Sequence, residues 1–139
     1  MGLRAVLPSI TILAASMAVL GQTAKTAEEP RYDAATVIHE MGTVTEVREV
    51  PRDSPLNGVH LSVNTDAQTI DTYLGPAAFL KEIGLTISRG GRVQFVGSKV
   101  RFGGGYVVLV REVREDTSTW YLRDRQGNPY WPPSEKRKT

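Results

Sequence analysis

The sequence predicts an all-β domain with one short helix, closed into a barrel of five to six antiparallel strands. Three observations predict it. Short apolar runs alternating with polar residues recur across residues 36–131, the period of half-buried strands. Thirteen glycines and eight prolines fall mostly between those runs, where turns need them. One stretch with helix signals, Pro76 to Ile83, interrupts the strands.

Thr36 to Glu40 and Gly42 to Val50 read as one long first strand, broken at Gly42. Its alternation slips between Val44 and Val47, as in a bulged, strongly coiled strand. Pro51 to Gly58 carries two prolines and an Asn-Gly pair, which is loop chemistry. Val59, Leu61 and Val63 then point to one face and His60, Ser62 and Asn64 to the other. After a turn at 65–68, Ile70, Thr72 and Leu74 continue the inward face, with Asp71 and Tyr73 outward.

Pro76 opens the helix at its first position and Gly84 stops it. A helix of about two turns is unstable alone, so Ala78, Phe79 and Ile83 must pack on something. Ser88 to Gly91 turns into a fourth strand, Arg92 to Phe102. There Val93 and Phe95 share one parity and Val100 and Phe102 the other, which predicts a bulge at Gly97. Gly103 to Gly105 is a tight turn. The run from Tyr106 to Val113 is apolar on both sides as far as Val110, as in a strand covered on both faces. Trp120 to Arg123 reads as a short sixth strand.

A helix between the third and fourth strands of a five-stranded set is the arrangement of the OB-type barrel, where it plugs one end. The alternative is an SH3-like barrel, which usually lacks this helix. At 139 residues, 40% hydrophobic and 23% charged, the chain fits one globular domain with short extensions. The reading divides it into a signal peptide (1–21), a linker (22–35), the barrel (36–131) and a basic tail (132–139).

The N-terminal residues follow the order of a leader. A basic start at Arg4 precedes an apolar run from Ala5 to Leu20, and small then polar residues follow. Cleavage is expected after Gly21, with Ser16-Met17-Ala18 as an alternative site. The run is shorter than the ~20 residues that span a bilayer comfortably, although a retained anchor is the competing reading. The expected location is periplasmic or secreted, with no stable membrane span after cleavage.

Composition excludes several chemistries. No cysteine is present, which rules out disulfides, thiolate zinc sites, a Cys nucleophile and c-type haem attachment. His39 and His60 lie on different strands without a predictable carboxylate partner, so no metal site is expected. No nucleophile elbow or phosphate loop is present. The expectation is a non-enzyme without cofactor. Between Arg31 and Pro133, 12 Lys and Arg balance 12 Asp and Glu, so the basic excess of the chain lies outside the barrel. That neutrality weighs against nucleic acid, whose phosphates call for a basic face.

Gly58-Val59-His60-Leu61, Leu74 to Leu80, Gly97-Ser98-Lys99, Arg111-Glu112-Val113 and Leu122-Arg123-Asp124 carry a resemblance. With Thr65, they resemble a group of small exported bacterial OB-fold-like domains. Some of these are described generically as DNA-binding, and some are grouped with the magnetosome MamS/MamX domain. The resemblance covers Thr36 to Trp131. Redox members of such a group would carry Cys-x-x-Cys-His haem motifs, and a chain without cysteine does not inherit that role.

OB barrels commonly bind ligands on the face of strands two and three, framed by the loops 1–2 and 4–5. The candidate ligand residues are therefore Arg52, His60, Asn64, Tyr73, Arg101 and Tyr106. The expected partner is an envelope protein or another periplasmic component. The alternative is a single-stranded nucleic acid held by stacking and charge. Trp120, Tyr121, Tyr130 and Trp131 are read as closing the barrel against the sixth strand, with a recognition patch as the alternative.

Overall fold

The structure, a computed structural model, describes residues 29–133. The expected signal peptide, most of the linker and the basic tail from Ser134 lie outside the described residues. Six strands follow one another: β1 (Val37–Val50), β2 (Gly58–Asn64), β3 (Thr69–Gly75), β4 (Arg92–Phe102), β5 (Gly105–Glu115) and β6 (Ser118–Tyr121). The helix α1 (Ala77–Glu82) stands between β3 and β4. The sheet runs β3-β2-β1-β4-β5-β6 and closes by a further pairing of β3 with β5. A five-stranded barrel closed in the order 1-2-3-5-4, with a helix after β3, is the OB arrangement. All ladders are antiparallel except the closing one, where Thr72 pairs with Val108 and Tyr73 with Leu109 in parallel. The barrel is thus mixed.

β1 is continuous, not broken at Gly42. It pairs with β4 over Val37–Thr43 and with β2 over Thr43–Val50, so one strand serves both halves of the barrel. A side chain at residue 42 would collide with the carbonyl of Asn64, which is why glycine occupies the crossing. The expected bulge is present between Val44 and Glu46. The second is displaced from its expected place: Val96 faces Glu112 and Gly97 faces Val110, so the extra residue is Arg111 on β5. Its carbonyl accepts from the amides of Leu122 and Arg123.

Val93 and Phe95 accordingly keep a parity different from Val100 and Phe102, because they fill two cores. The barrel interior holds Val44, Leu61, Val63, Leu74, Phe95 and Val110, among others. Leu80 of α1 is buried against it, with Phe79 and Ile83 partly buried there. Ala78, expected to pack, is exposed, since a two-turn helix offers one apolar stripe and that stripe runs through residues 79, 80 and 83. A second cluster lies on the outer side of the sheet, where Leu56, Tyr73, Val107 and Leu109 pack together. Tyr32, Val100, Phe102 and Trp131 cover it. β5 is apolar on both faces because it separates these cores.

The chain before β1 is pinned rather than loose from Tyr32 onward. Asp33 caps a 3-10 turn (Ala34–Thr36) through the amide of Ala35, and its own amide donates to Ser98 Oγ at 2.9 Å. Thr36 Oγ1 lies 2.8 Å from the same buried Ser98 hydroxyl.

Candidate functional site

The alternation along β2 and β3 does place His60 and Tyr73 opposite the barrel interior, yet neither reaches solvent. His60 is 3% exposed and Tyr73 2%. Loop 51–57 folds down over them and buries Leu56, whose φ of 54° is held by that packing. His60 Nε2 lies 2.8 Å from the Leu56 carbonyl, so it carries the proton. Tyr73 donates its hydroxyl to the Asn57 carbonyl at 2.7 Å, and the two rings sit 5.0 Å apart. The expectation of an open ligand face here is corrected: the chain covers the face with its own residues, satisfying both polar tips through loop carbonyls. His60 Nδ1 is left buried without a hydrogen bond, 3.7 Å from Asp71 Oδ1. Asp71 in turn accepts from Arg48 Nη2 at 2.8 Å.

The remaining predicted residues separate. Asn64 lies exposed at the far end of β2. Arg101 and Tyr106 pair across the β4–β5 hairpin and line a basin away from loop 51–57. Arg52 and Tyr73 do meet, in a groove of about 900 Å³, within the size range of ligand sites.

That groove is built from distant parts of the chain. Tyr73 contributes from β3, Phe79 and Ala78 from α1, and Trp131 with Pro132 from the C-terminal segment. Trp131 organises it. Its ring lies 6.2 Å from Tyr73, edge-on at 85°, and 5.3 Å from Phe79. The Arg123 guanidinium lies over it at 4.9 Å, a cation–π contact strengthened by desolvation. Arg123 is buried and donates to the Gly127 carbonyl at 2.9 Å. Burial holds its pKa below the usual arginine value, opposed by the neighbouring Tyr73. Burial also pushes Tyr73 up from 10.0 to about 12, with Arg123 pulling the other way. The rim carries Glu29, Asp53 and Glu82 against Arg52.

The pattern of aromatics allows Trp131 either as barrel closure or as part of a recognition patch. Trp120 does pack on the main core, whereas Trp131 bridges both clusters and the groove. Tyr121 and Tyr130 are exposed. The only signal for the groove was the Gly75-Pro76 step followed, far along the chain, by a Trp between prolines. Among the described residues no three His, Cys, Asp or Glu side chains converge as a metal site.

The sequence profile of the MamS/MamX magnetosome protein family matches residues 36–123, well over half of the chain. The chain belongs to that family. No curated protein matches it. In this MamS/MamX domain the matched stretch contains the whole barrel, loop 51–57 and α1, and ends at Arg123, the residue beneath Trp131. Trp131 and the prolines beside it lie beyond the match. Among the described residues no helix is long and apolar enough to cross a membrane.

Proposed function

We propose that this MamS/MamX domain is a non-catalytic, exported binding module of the cell envelope, and that it takes a partner protein into the groove beneath Trp131. One observation carries the reading. The His60–Tyr73 end of the usual OB ligand face is occupied by the chain itself, and the opening left beside it is lined by Phe79 and Trp131 over the buried Tyr73. Aromatic rings at a concave, partly desolvated place are where protein interfaces concentrate their binding energy. The family's magnetosome association supports a partner among the proteins of that organelle or of the envelope around it.

The alternative expected from the sequence, stacking of a single-stranded nucleic acid on β2 and β3, needs exposed rings there. His60 and Tyr73 are buried, and the barrel carries no net positive charge to answer phosphates.

A photo-crosslinking residue at position 78, exposed on the groove wall, tests the reading in cells. The expected result is one adduct of defined mass at 78 and none at position 89, in the exposed 88–91 turn. Phe79→Ser should remove the adduct. Equal labelling at 78 and 89, or an adduct that survives Phe79→Ser, would sink the proposal.

A further inference from the structure

A second concavity lies between the 31–36 segment and the β4–β5 hairpin, with a volume of about 740 Å³. Its chemistry is unlike that of the groove. Arg31, Lys99 and Arg101 line it, with Tyr106 and Gln126. None of the three cations makes an ion pair among the described residues. The one carboxylate on its wall, Asp33, is already engaged in capping the amide of Ala35 at 2.8 Å. Tyr106 is 55% exposed, with Lys99 Nζ 4.9 Å and the Arg101 guanidinium 5.8 Å from its ring centre.

The placement follows from register. Lys99 faces Val108 and Arg101 faces Tyr106 across the hairpin. Val108 belongs to the barrel interior, so Lys99, Arg101 and Tyr106 share its inward parity toward the end of the hairpin, where they line the basin. Ser98, one residue away and fully buried, fastens the 33–36 segment to β4, and that brings Arg31 to the same basin. A domain neutral in total thus concentrates three cations, unpaired among the described residues, with one capping carboxylate, a phenol and an amide at one concave place. The groups are nearly all donors, and a ligand that answers them must be rich in acceptors and negatively charged. Arginine forks and a lysine ammonium match phosphate oxygens in this way.

We propose that this basin is a binding site for phosphate groups, separate from the groove beneath Trp131. Phosphate reaches an envelope protein from two sources, a lipid headgroup or a soluble phosphate compound, and the side chains named would grip either.

The test uses isotope-labelled full-length protein titrated with inorganic pyrophosphate at low ionic strength. Saturable amide shifts are expected at Lys99, Arg101, Tyr106 and Gln126, weakening as salt is raised. Lys99→Ala and Arg101→Ala should each weaken binding by about fivefold, the scale of an exposed charge contact. Arg101→Glu should abolish it, while Arg89→Ala, in the 88–91 turn outside the basin, should leave it unchanged. Both alanine side chains are tolerated at hairpin positions, and unchanged melting of the variants separates binding from folding. Flotation with phosphatidylglycerol vesicles, compared with phosphatidylcholine vesicles, distinguishes the sources. Binding to the former assigns a headgroup, and pyrophosphate binding without vesicle binding assigns a soluble phosphate. Absence of saturable shifts, or equal loss in Arg89→Ala, overturns the proposal. So does tighter binding of a single-stranded oligonucleotide at these same residues, which would make the basin a nucleic-acid site instead.

Discussion

The indole of Trp131 rests on Gly75: a Cβ added at residue 75 would sit 2.9 Å from Trp131 Cζ3. Gly75 also has a φ of 139°, a region nearly closed to residues with a side chain. It ends β3 just before α1, so this contact joins the closing strand of the barrel to the C-terminal segment.

Gly75→Ala should therefore act twice, through backbone strain and through displacement of the ring. A loss of about 2–3 kcal/mol is expected in denaturant unfolding. Trp131 fluorescence should shift to longer wavelength in the folded variant, reporting the ring's exit toward water. An unshifted spectrum would mean that the indole does not depend on this seat.

Trp131→Ala should cost about 3 kcal/mol, because it uncovers the outer cluster and leaves the Arg123 guanidinium without its aromatic partner. Trp131→Phe should recover more than half of that. Crosslinking from position 78 should fall in the alanine variant and persist in the phenylalanine one.

Tyr73 gives the domain an alkaline limb. Its folded pKa of about 12 lies above the usual 10.0, chiefly through burial. The neutral phenol is favoured in the folded state, so its contribution is whole below about pH 10 and is lost as pH rises toward about 12. Tyr73→Phe should flatten the difference in stability between these pH values. It should also cost about 1 kcal/mol at neutral pH, since the Asn57 carbonyl loses its donor. Parallel pH profiles for the two proteins would contradict this assignment.

Leu56 is the buried apolar anchor of loop 51–57. Leu56→Ala should destabilise by about 3 kcal/mol, as for other buried leucines, and should expose the loop to trypsin at Arg52. Hydrogen exchange at His60 and Tyr73 should accelerate together. Protection retained at both amides would show that the loop is anchored by other contacts.

Much of the barrel was legible in local pattern. The strand-two alternation of Val59, Leu61 and Val63, the slip near Val44, the proline-to-glycine helix and the glycine turn at 103–105 all report short-range geometry. Each is a matter of backbone period or permitted dihedral angles, which neighbouring residues decide between themselves. The bulge opposite Gly97 was harder to place. A parity change can mean an inserted residue or a strand buried on both faces, and here β4 faces two cores while the extra residue, Arg111, sits on β5.

His60 and Tyr73 mark the boundary between the two kinds of information. The sequence by itself determined that both side chains leave the barrel interior, because successive residues of a strand alternate in direction. It also determined that the barrel is close to neutral and free of cysteine chemistry. Only the tertiary structure decided that Leu56 and Trp131 close over Tyr73, and that Arg31 joins Lys99 and Arg101 at the second basin. Those contacts join residues far apart along the chain, and they depend on where a loop and a terminal segment come to rest. Period encodes which residues share a face; what covers that face is settled by packing.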